Sequence, residues 1–219
     1  MDEIIVRLAR AMASQPRLRI FALLVRQGEL TPTQLASELH IPINIISTHL
    51  RVLVTAGLIS RRKSGARCYY RAESPYDSIT VSGKLTAWLR NLWTVSPLPA
   101  GQHPGLHEVR DVASRPDQML NRTLFEVATA FTDLRRLQIL RHLGRQRCVG
   151  ATELVEVLSM SPQALSRHMR KLSRRGYVLT RLVGHAMVYE LSPTTKTVIH
   201  RRMLEIVRQT WEQVTSRTS

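Results

Sequence analysis

The 219-residue sequence has few or none of the features that several protein classes require. Two cysteines are too few for a disulfide framework in two domains, which favours a reducing cytoplasm. No apolar run approaches the roughly 18 residues of a transmembrane helix, and the N-terminal MDEIIVRLAR has no signal-peptide core. Aromatic residues make up 5% of the chain, which suits small helical cores of aliphatic side chains. We therefore expect a cytoplasmic protein that does not span a membrane.

Motifs of common enzymes are also absent. The sequence contains no Gly-rich phosphate loop, HExxH, CxxC or GxSxG. His103 and His107 are four residues apart, but Pro104 and Gly105 stand between them and disfavour the helix that would pair them as ligands. Cys68 and Cys148 occupy unlike positions, so we expect ordinary structural thiols rather than a redox pair. The sequence predicts a non-enzyme with no cofactor and no metal site.

Positive charge is what the sequence has in excess. Its net charge is +16 at pH 7, and Arg outnumbers Lys by 28 to 4. Such a balance indicates a polyanionic partner, either nucleic acid or an anionic membrane. Arginine suits bidentate contacts to phosphate and guanine, although codon bias could produce the same ratio.

A single pattern occurs twice in the chain. A shift of 119 residues aligns 6–71 on 125–190 without a gap, which indicates a tandem duplication. Identical pairs include Arg17/Arg136, Leu35/Leu154, Ser47/Ser166, His49/His168, Arg51/Arg170, Gly57/Gly176, Gly65/Gly184 and Tyr70/Tyr189.

Residues 42–71 and 161–190 carry the most informative part of this repeat. Each begins with a helix-start signal, continues with apolar residues at helical spacing, and then has a Gly and two strand-like runs around a second Gly. The apolar sets are Ile46, Leu50 and Leu53 in the first copy and Leu165, Met169 and Leu172 in the second. Because the opposite faces are polar and basic, we predict a recognition helix followed by a wing in each copy.

The remaining segments complete two similar domains. TPTQ at 31–34 predicts a capping box, so 31–56 is a helix-turn-helix. Amphipathic helices are predicted at 2–13, 14–27, 76–93, 117–131 and 194–214. Four Pro and two Gly at 94–116 predict a linker. The expected fold is mainly α with small β wings. Its domains are winged helix-turn-helix domain 1 at 1–96, a linker at 97–116 and winged helix-turn-helix domain 2 at 117–219.

Each half resembles the ArsR/SmtB family of small winged-helix repressors. The motifs that carry the resemblance are SxHL at Ser47–Leu50, AGLI followed by RR at Ala56–Arg62, Gly65–Tyr70, SxHM at Ser166–Met169, RGYV at Arg175–Val178 and Gly184–Tyr189. Family members are dimers that join through their first and last helices. The resemblance therefore implies an intramolecular pseudo-dimer, joined through 2–13, 76–93, 117–131 and 194–214, with further homo-oligomerisation left open.

Two departures from the family limit what it implies. Many members have a metal box, ELCVCDL, where this chain has ELTPTQL, with Thr31 and Thr33 in place of the cysteines. The second copy has Gly150 and Thr152 there, so we expect no metal sensing at those positions. The family's Gln near the start of the recognition helix is Ile43 or Pro162 here, so its base preference does not transfer.

The predicted DNA-binding residues lie on the recognition helices and wings. They are Asn44, Ser47, Thr48, His49, Arg51, Arg61, Arg62, Lys63, Arg67, Gln163, Ser166, Arg167, His168, Arg170, Lys171, Arg174 and Arg181. Asn44 and Gln163 are candidates for adenine contacts. The wing cations are expected on phosphates or in the minor groove. For the two histidines a phosphate hydrogen bond is favoured over a packing role.

Together these features predict a sequence-specific regulator of transcription that binds double-stranded DNA. We favour a repressor on an imperfect inverted repeat with unequal half-sites. Two alternatives remain open. A tandem winged-helix interaction module, as in condensin accessory or polymerase subunits, would bind protein and need no basic face. A plasmid-type replication initiator would also be tandem and basic.

Overall fold

The computed structural model describes residues 1–95, 115–146 and 148–218. The predicted linker at 97–116 lies outside the described residues up to 114, as do His103 and His107, and its last two residues begin a helix. No helix in the described ranges combines the length and the apolar character needed to cross a membrane.

The elements confirm a mainly α fold with small β wings. Those of the first copy are α1 (Asp2–Met12), α2 (Gln15–Gln27), α3 (Pro32–Leu39), α4 (Ile43–Ala56), β1 (Ser60–Ser64), β2 (Arg67–Arg71) and α5 (Val81–Val95). Those of the second copy are α6 (Arg115–Ala130), α7 (Leu134–Leu143), β3 (Val149–Gly150), α8 (Ala151–Val157), α9 (Pro162–Arg174), β4 (Val178–Val183), β5 (Ala186–Leu191) and α10 (Val198–Thr218). Strands β1 and β2 form one antiparallel hairpin, the first wing. Strands β4 and β5 form another, the second wing, and β3 pairs with β5.

Local sequence signals fix the helix-turn-helix of the first copy. The capping box is confirmed, since Thr31 Oγ1 accepts a hydrogen bond from Gln34 N while Gln34 Oε1 accepts one from Thr31 N. Gly57 ends α4 with φ of 78°, a left-handed conformation that glycine adopts without steric cost. Ser14 is the N-cap of α2, but its side chain makes no capping bond.

Two predicted helices begin later than expected. Helix α5 starts at Val81 rather than 76, because the Asp77 carboxylate accepts a hydrogen bond from Ile79 N and holds a turn there. Ile79 therefore lies before the helix and is 56% exposed, although the predicted helix at 76–93 included it. Helix α10 starts at Val198 rather than 194, and Val198 is also exposed.

The chain forms two compact units that are not contiguous in sequence. One comprises Ser14–Phe125 and the other comprises Met1–Ala13 together with Glu126–Ser219. Helix α1 therefore belongs to the unit that holds the second recognition helix. The compact units and the sequence repeat thus divide the chain differently.

Polar contacts within each unit agree with this division. In the unit of residues 14–125, the Gln15 side chain donates to the Asn121 carbonyl at 3.3 Å, and Arg26 pairs with Asp117. In the other unit, Trp211 Nε1 donates to the Asp2 carboxylate at 2.8 Å. The N-terminal segment is therefore tied to the last helix of its unit.

Candidate nucleic-acid interface

Helix α4 has one buried apolar face and one exposed polar face. Ile46 and Leu50 are fully buried and Leu53 is 2% exposed, as predicted. The opposite face is solvent-exposed, and it carries Asn44, Ser47, Thr48 and Arg51. Burying a large aliphatic side chain stabilises the fold by about 1.5–3 kcal/mol. This stabilisation holds the apolar face against the core, so the polar face points to solvent.

Two hydroxyl groups on this face donate to their own helix. Ser47 Oγ donates to the Ile43 carbonyl at 2.8 Å, and Thr48 Oγ1 donates to the Asn44 carbonyl at 3.0 Å. Because each hydroxyl hydrogen already bonds to a carbonyl of α4, each hydroxyl oxygen can act only as an acceptor for a donor on a bound molecule. Such an oxygen suits the amino group of adenine or cytosine in the major groove.

Helix α9 has the same arrangement with more charge. Leu165, Met169 and Leu172 are buried as predicted, and Ser161 caps the helix by accepting a hydrogen bond from Ala164 N. The exposed face carries Gln163, Ser166, Arg167, Arg170 and Arg174.

Positive charges crowd the C-terminal half of α9. Burial and the nearby arginines 175, 136 and 174 lower the pKa of Lys171. Arg175 is paired with Glu126 at 3.3 Å, but no carboxylate among the described residues pairs with Arg167, Arg170 or Arg174. This face therefore has an excess of cations available to an anionic partner.

The first wing is exposed and basic, but two of its arginines pair with carboxylates, Arg71 with Glu73 at 3.6 Å and Arg62 with Glu29. Arg62 donates two hydrogen bonds to the Glu29 carboxylate, at 2.6 and 3.1 Å, and stacks on Tyr69. The hydrogen bond from Arg62 lowers the pKa of Glu29. Lys63 and Arg67 have no ion pair among the described residues, and Arg61 donates to Cys68 Sγ at 3.3 Å. Sequence reasoning missed Glu29.

The position of Glu29 follows from the backbone. Leu30 forms an isolated bridge with Tyr70, in which each N–H donates to the other's carbonyl at 2.9–3.0 Å. This bridge places the residue before Leu30 beside the wing. The second wing has a similar pair, since Arg181 lies 2.7 Å from Glu190. Two of the predicted phosphate contacts, Arg62 and Arg181, are thus already bound to carboxylates.

The equivalent histidines of the two recognition helices are half-buried rather than fully exposed. Burial lowers the pKa of His49, and the neighbouring Arg17 lowers it further. Burial also lowers the pKa of His168, whose Nδ1 lies 3.8 Å from the Asp133 carboxylate. The lowered pKa favours the uncharged form of both imidazoles, which can contact a phosphate through a neutral hydrogen bond.

A groove lies beside each recognition helix. In the first copy it measures about 620 Å³ and is lined by the start of α3, by Ile43 and Ser47 of α4, and by Arg67, Cys68 and Tyr69 of the first wing. In the second copy it measures about 460 Å³, between α9 and the second wing. Helix and wing thus flank one groove in each copy.

A buried aromatic contact holds the end of α9 in place. Tyr177 is fully buried, and its hydroxyl donates to the His200 carbonyl at 3.3 Å. Its ring lies 5.6 Å from the imidazole of His200, which is 2% exposed. Burial, with Lys196 and Arg175 nearby, lowers the pKa of His200, while Glu126 opposes this shift.

Acid should therefore destabilise the unit that contains α9. As pH falls, His200 takes up a proton in the unfolded chain at a higher pH than in the folded chain, because folding lowers its pKa. The free energy of unfolding is therefore highest above about pH 6.5 and decreases as pH drops below that value. Replacing His200 by Asn should reduce this loss by up to about 1.4 kcal/mol per pH unit. Urea unfolding at pH 7.5, 6.5 and 5.5 measures the slope, and an equal slope in variant and wild type would contradict the assignment.

Comparison with known proteins gives a match in each copy. Residues 12–62 match a family model described as a helix-turn-helix domain, and residues 132–178 match one described as winged helix-turn-helix DNA-binding. The HTH-type transcriptional repressor SmtB of two Mycobacterium tuberculosis strains is 34% identical over 64 residues. That alignment covers 29% of this chain and 47% of the relative, so the chain spans about half the length of the curated relatives it matches. A solved structure, the AntR antimony-specific transcriptional repressor, is similar at TM-score 0.36 and 21% identity, over 49% of this chain and 90% of that chain.

The two matched segments cover the two helix-turn-helix units already described. The chain therefore carries two winged helix-turn-helix domains in tandem, and a 64-residue stretch is similar to a repressor of the ArsR/SmtB type. In the first domain the match ends within β1, and in the second it ends at the first residue of β4. The first match includes α4 and the second includes α9, and the tandem arrangement predicted from the repeat is confirmed.

Proposed function

We propose that the protein is a DNA-binding regulator of transcription, a repressor that occupies an imperfect inverted repeat at the nucleoid. Two helices, α4 and α9, each dock by an apolar face and present a polar or basic face beside a groove and a wing. This arrangement supports insertion into the major groove, with the wing on the adjacent backbone or minor groove. Helices α4 and α9 belong to one chain, so a single chain would act as an intramolecular pseudo-dimer.

The two half-sites are expected to differ. Helix α4 offers Asn44 and hydroxyl acceptors with Arg51, whereas α9 offers Gln163 with Arg167 and Arg170. Arginine pairs bidentately with guanine, and Asn or Gln with adenine. We therefore expect a guanine-containing second half-site and a first half-site richer in A·T pairs.

The observation that carries the proposal is the unpaired positive charge on α9 and the first wing. A protein-interaction module has no need of this charge, which therefore disfavours that alternative. Selection of bound fragments from random DNA by the purified protein tests the proposal and supplies a duplex. The logarithm of affinity should then fall with the logarithm of salt concentration, with a slope of about −0.9 per phosphate contact. A flat dependence would support the protein-interaction module instead.

Release of Arg62 from Glu29 should strengthen DNA binding. The Glu29→Gln variant loses the carboxylate partner and frees the guanidinium for a phosphate, so we expect a salt slope steeper by about 0.9. Combining Glu29→Gln with Arg62→Ala should cancel that increase. If the double variant keeps the steeper slope, the increase comes from removing the repulsion between the Glu29 carboxylate and DNA. Arg62 would then make no phosphate contact.

A further inference from the structure

The two wings differ in chemistry at equivalent positions. Lys63 and Cys68 of the first wing correspond to Leu182 and Met187 of the second, and each pair is directly opposed across its hairpin. Leu182 is 67% exposed and Met187 is 42% exposed. Apolar side chains that remain together in solvent at a hairpin tip indicate a contact surface.

Strand register shows which way this apolar pair faces. Successive side chains of a strand alternate between its two faces. Thr180 opposes Tyr189, and two residues along Leu182 opposes Met187, so all four share one face of the second wing. Thr180, Met187 and Tyr189 line the groove beside α9. The apolar tip therefore extends the face of the wing that borders this groove.

The far wall of that groove is the basic face of α9. Ser166, Arg170 and Arg174 line it, and the two arginines have no carboxylate partner among the described residues. A molecule bound to these arginines in the groove would continue onto Leu182 and Met187. Polyanionic DNA matches the positive charge of this wall, and we therefore expect DNA in the groove.

The second wing is poorly suited to hold DNA by its phosphates. Within the fully described hairpin 178–191, Arg181 is the sole arginine or lysine, and it is paired with Glu190. Alternation also places Arg181 on the opposite face from Leu182. Apart from His185 at the turn, the tip residues 182–187 are apolar or glycine, so we expect the contact of this wing with DNA to be mainly apolar.

We propose that Leu182 and Met187 enter the minor groove beside the second half-site as an apolar wedge that bends the duplex. This inference rests on the proposed DNA-binding function. Apolar side chains inserted between base steps unstack them and kink the duplex. Such deformation is easiest at flexible pyrimidine–purine steps, so we expect a TA or CA step at that flank without any hydrogen bond to it.

The probe for the test is a duplex selected by the wild-type protein from random DNA, carrying a donor and an acceptor dye at its ends. Leu182→Ser should weaken binding about tenfold, the effect of withdrawing one aliphatic side chain from an apolar contact. It should also reduce the energy transfer of the complex towards that of the free duplex. Because no charge is lost, the salt slope should equal that of wild type.

Two further variants separate a wedge from a phosphate contact. Leu182→Lys copies the first wing, and a wedge predicts loss of the bend despite the added charge. A wing that merely lies on the backbone predicts tighter binding and an unchanged bend. The matched control Lys63→Ser should lower the magnitude of the salt slope by about 0.9 and leave the bend intact.

Several outcomes would overturn the wedge. They are an unbent wild-type complex, binding within twofold of wild type for both Leu182→Ser and Met187→Ser, and an unchanged energy transfer in these variants. Loss of self-association in sedimentation, with DNA bending unchanged, would assign the tip to a second copy of the chain. Both residues are exposed, so unfolding temperatures should not change. If the wild-type protein selects no duplex at all, the proposed function itself fails.

Discussion

Replacement of both Arg167 and Arg170 by alanine should weaken binding to the selected duplex by roughly a hundredfold or more. The two residues are three apart on the exposed face of α9, so both guanidinium groups point to the same side of the helix. A good bidentate contact to a base contributes about 1–3 kcal/mol of discrimination, and two such contacts are lost here. Fluorescence anisotropy at fixed salt measures the change.

A matched variant separates base contacts from general attraction. Arg201→Ala with Arg208→Ala removes the same charge from exposed positions of α10 in the same compact unit, where neither arginine pairs with a carboxylate among the described residues. If the α9 arginines contact bases, the α10 variant should bind within a few-fold of wild type. Equal losses of affinity in the two double variants would mean that net charge drives binding. Helix α9 would then make no specific contact to bases.

Truncation of buried side chains in α1 should destabilise the unit that holds the second recognition helix. Ile5 and Leu8 are fully buried, and α1 is part of the unit of residues 1–13 and 126–219. An Ile or Leu to Ala change in a core costs about 2–5 kcal/mol. For the Ile5→Ala and Leu8→Ala variants, hydrogen exchange should therefore accelerate at 134–211 and stay near wild type at 15–95.

The sequence repeat provides the control for this prediction. Leu124 is the equivalent of Ile5 in the second copy, is fully buried, and belongs to the unit of residues 14–125. Leu124→Ala should therefore give the opposite pattern, with faster exchange at 15–95. Faster exchange at 15–95 in the Ile5→Ala variant would show that α1 stabilises its own sequence neighbours instead.

Local patterns predicted most of each helix-turn-helix. Helical spacing identified the buried faces of α4 and α9, since Ile46 and Leu165 lie where 3.6-residue periodicity puts them. The capping box at Thr31 and the left-handed Gly57 fixed helix ends, because each depends on neighbours within a few residues. These features need no knowledge of the rest of the chain.

Features that depend on distant residues were not predicted. Periodicity shows that α1 has an apolar face but not which helices cover it, so its membership of the second unit was missed. Arg62 and Glu29 are 33 residues apart, and the backbone bridge from Leu30 to Tyr70 brings them together. The same limit applies to α5, whose start depends on a side-chain turn at Asp77 that competes with the helix.

For the interface residues, the sequence predicted their exposure but not their ion pairs. Exposure of Arg167 and Arg170 followed from the burial of Leu165 and Met169 on the other face. Which cations are available did not follow, because Arg181 and Arg62 are as basic in sequence as Lys63 but are paired in the fold. Assigning a DNA contact to a basic residue thus requires its ion pairs as well as its position.

The most direct test of whether one chain binds DNA with both α4 and α9 is hydroxyl-radical footprinting of the selected duplex. The footprint is taken under conditions where a mass measurement shows one bound chain per duplex. We expect two protected segments centred about 34–36 Å apart, one helical turn. Arg167→Ala with Arg170→Ala should remove protection of one segment first. Protection of a single segment by one chain, or a requirement for two chains before the second appears, would contradict the pseudo-dimer.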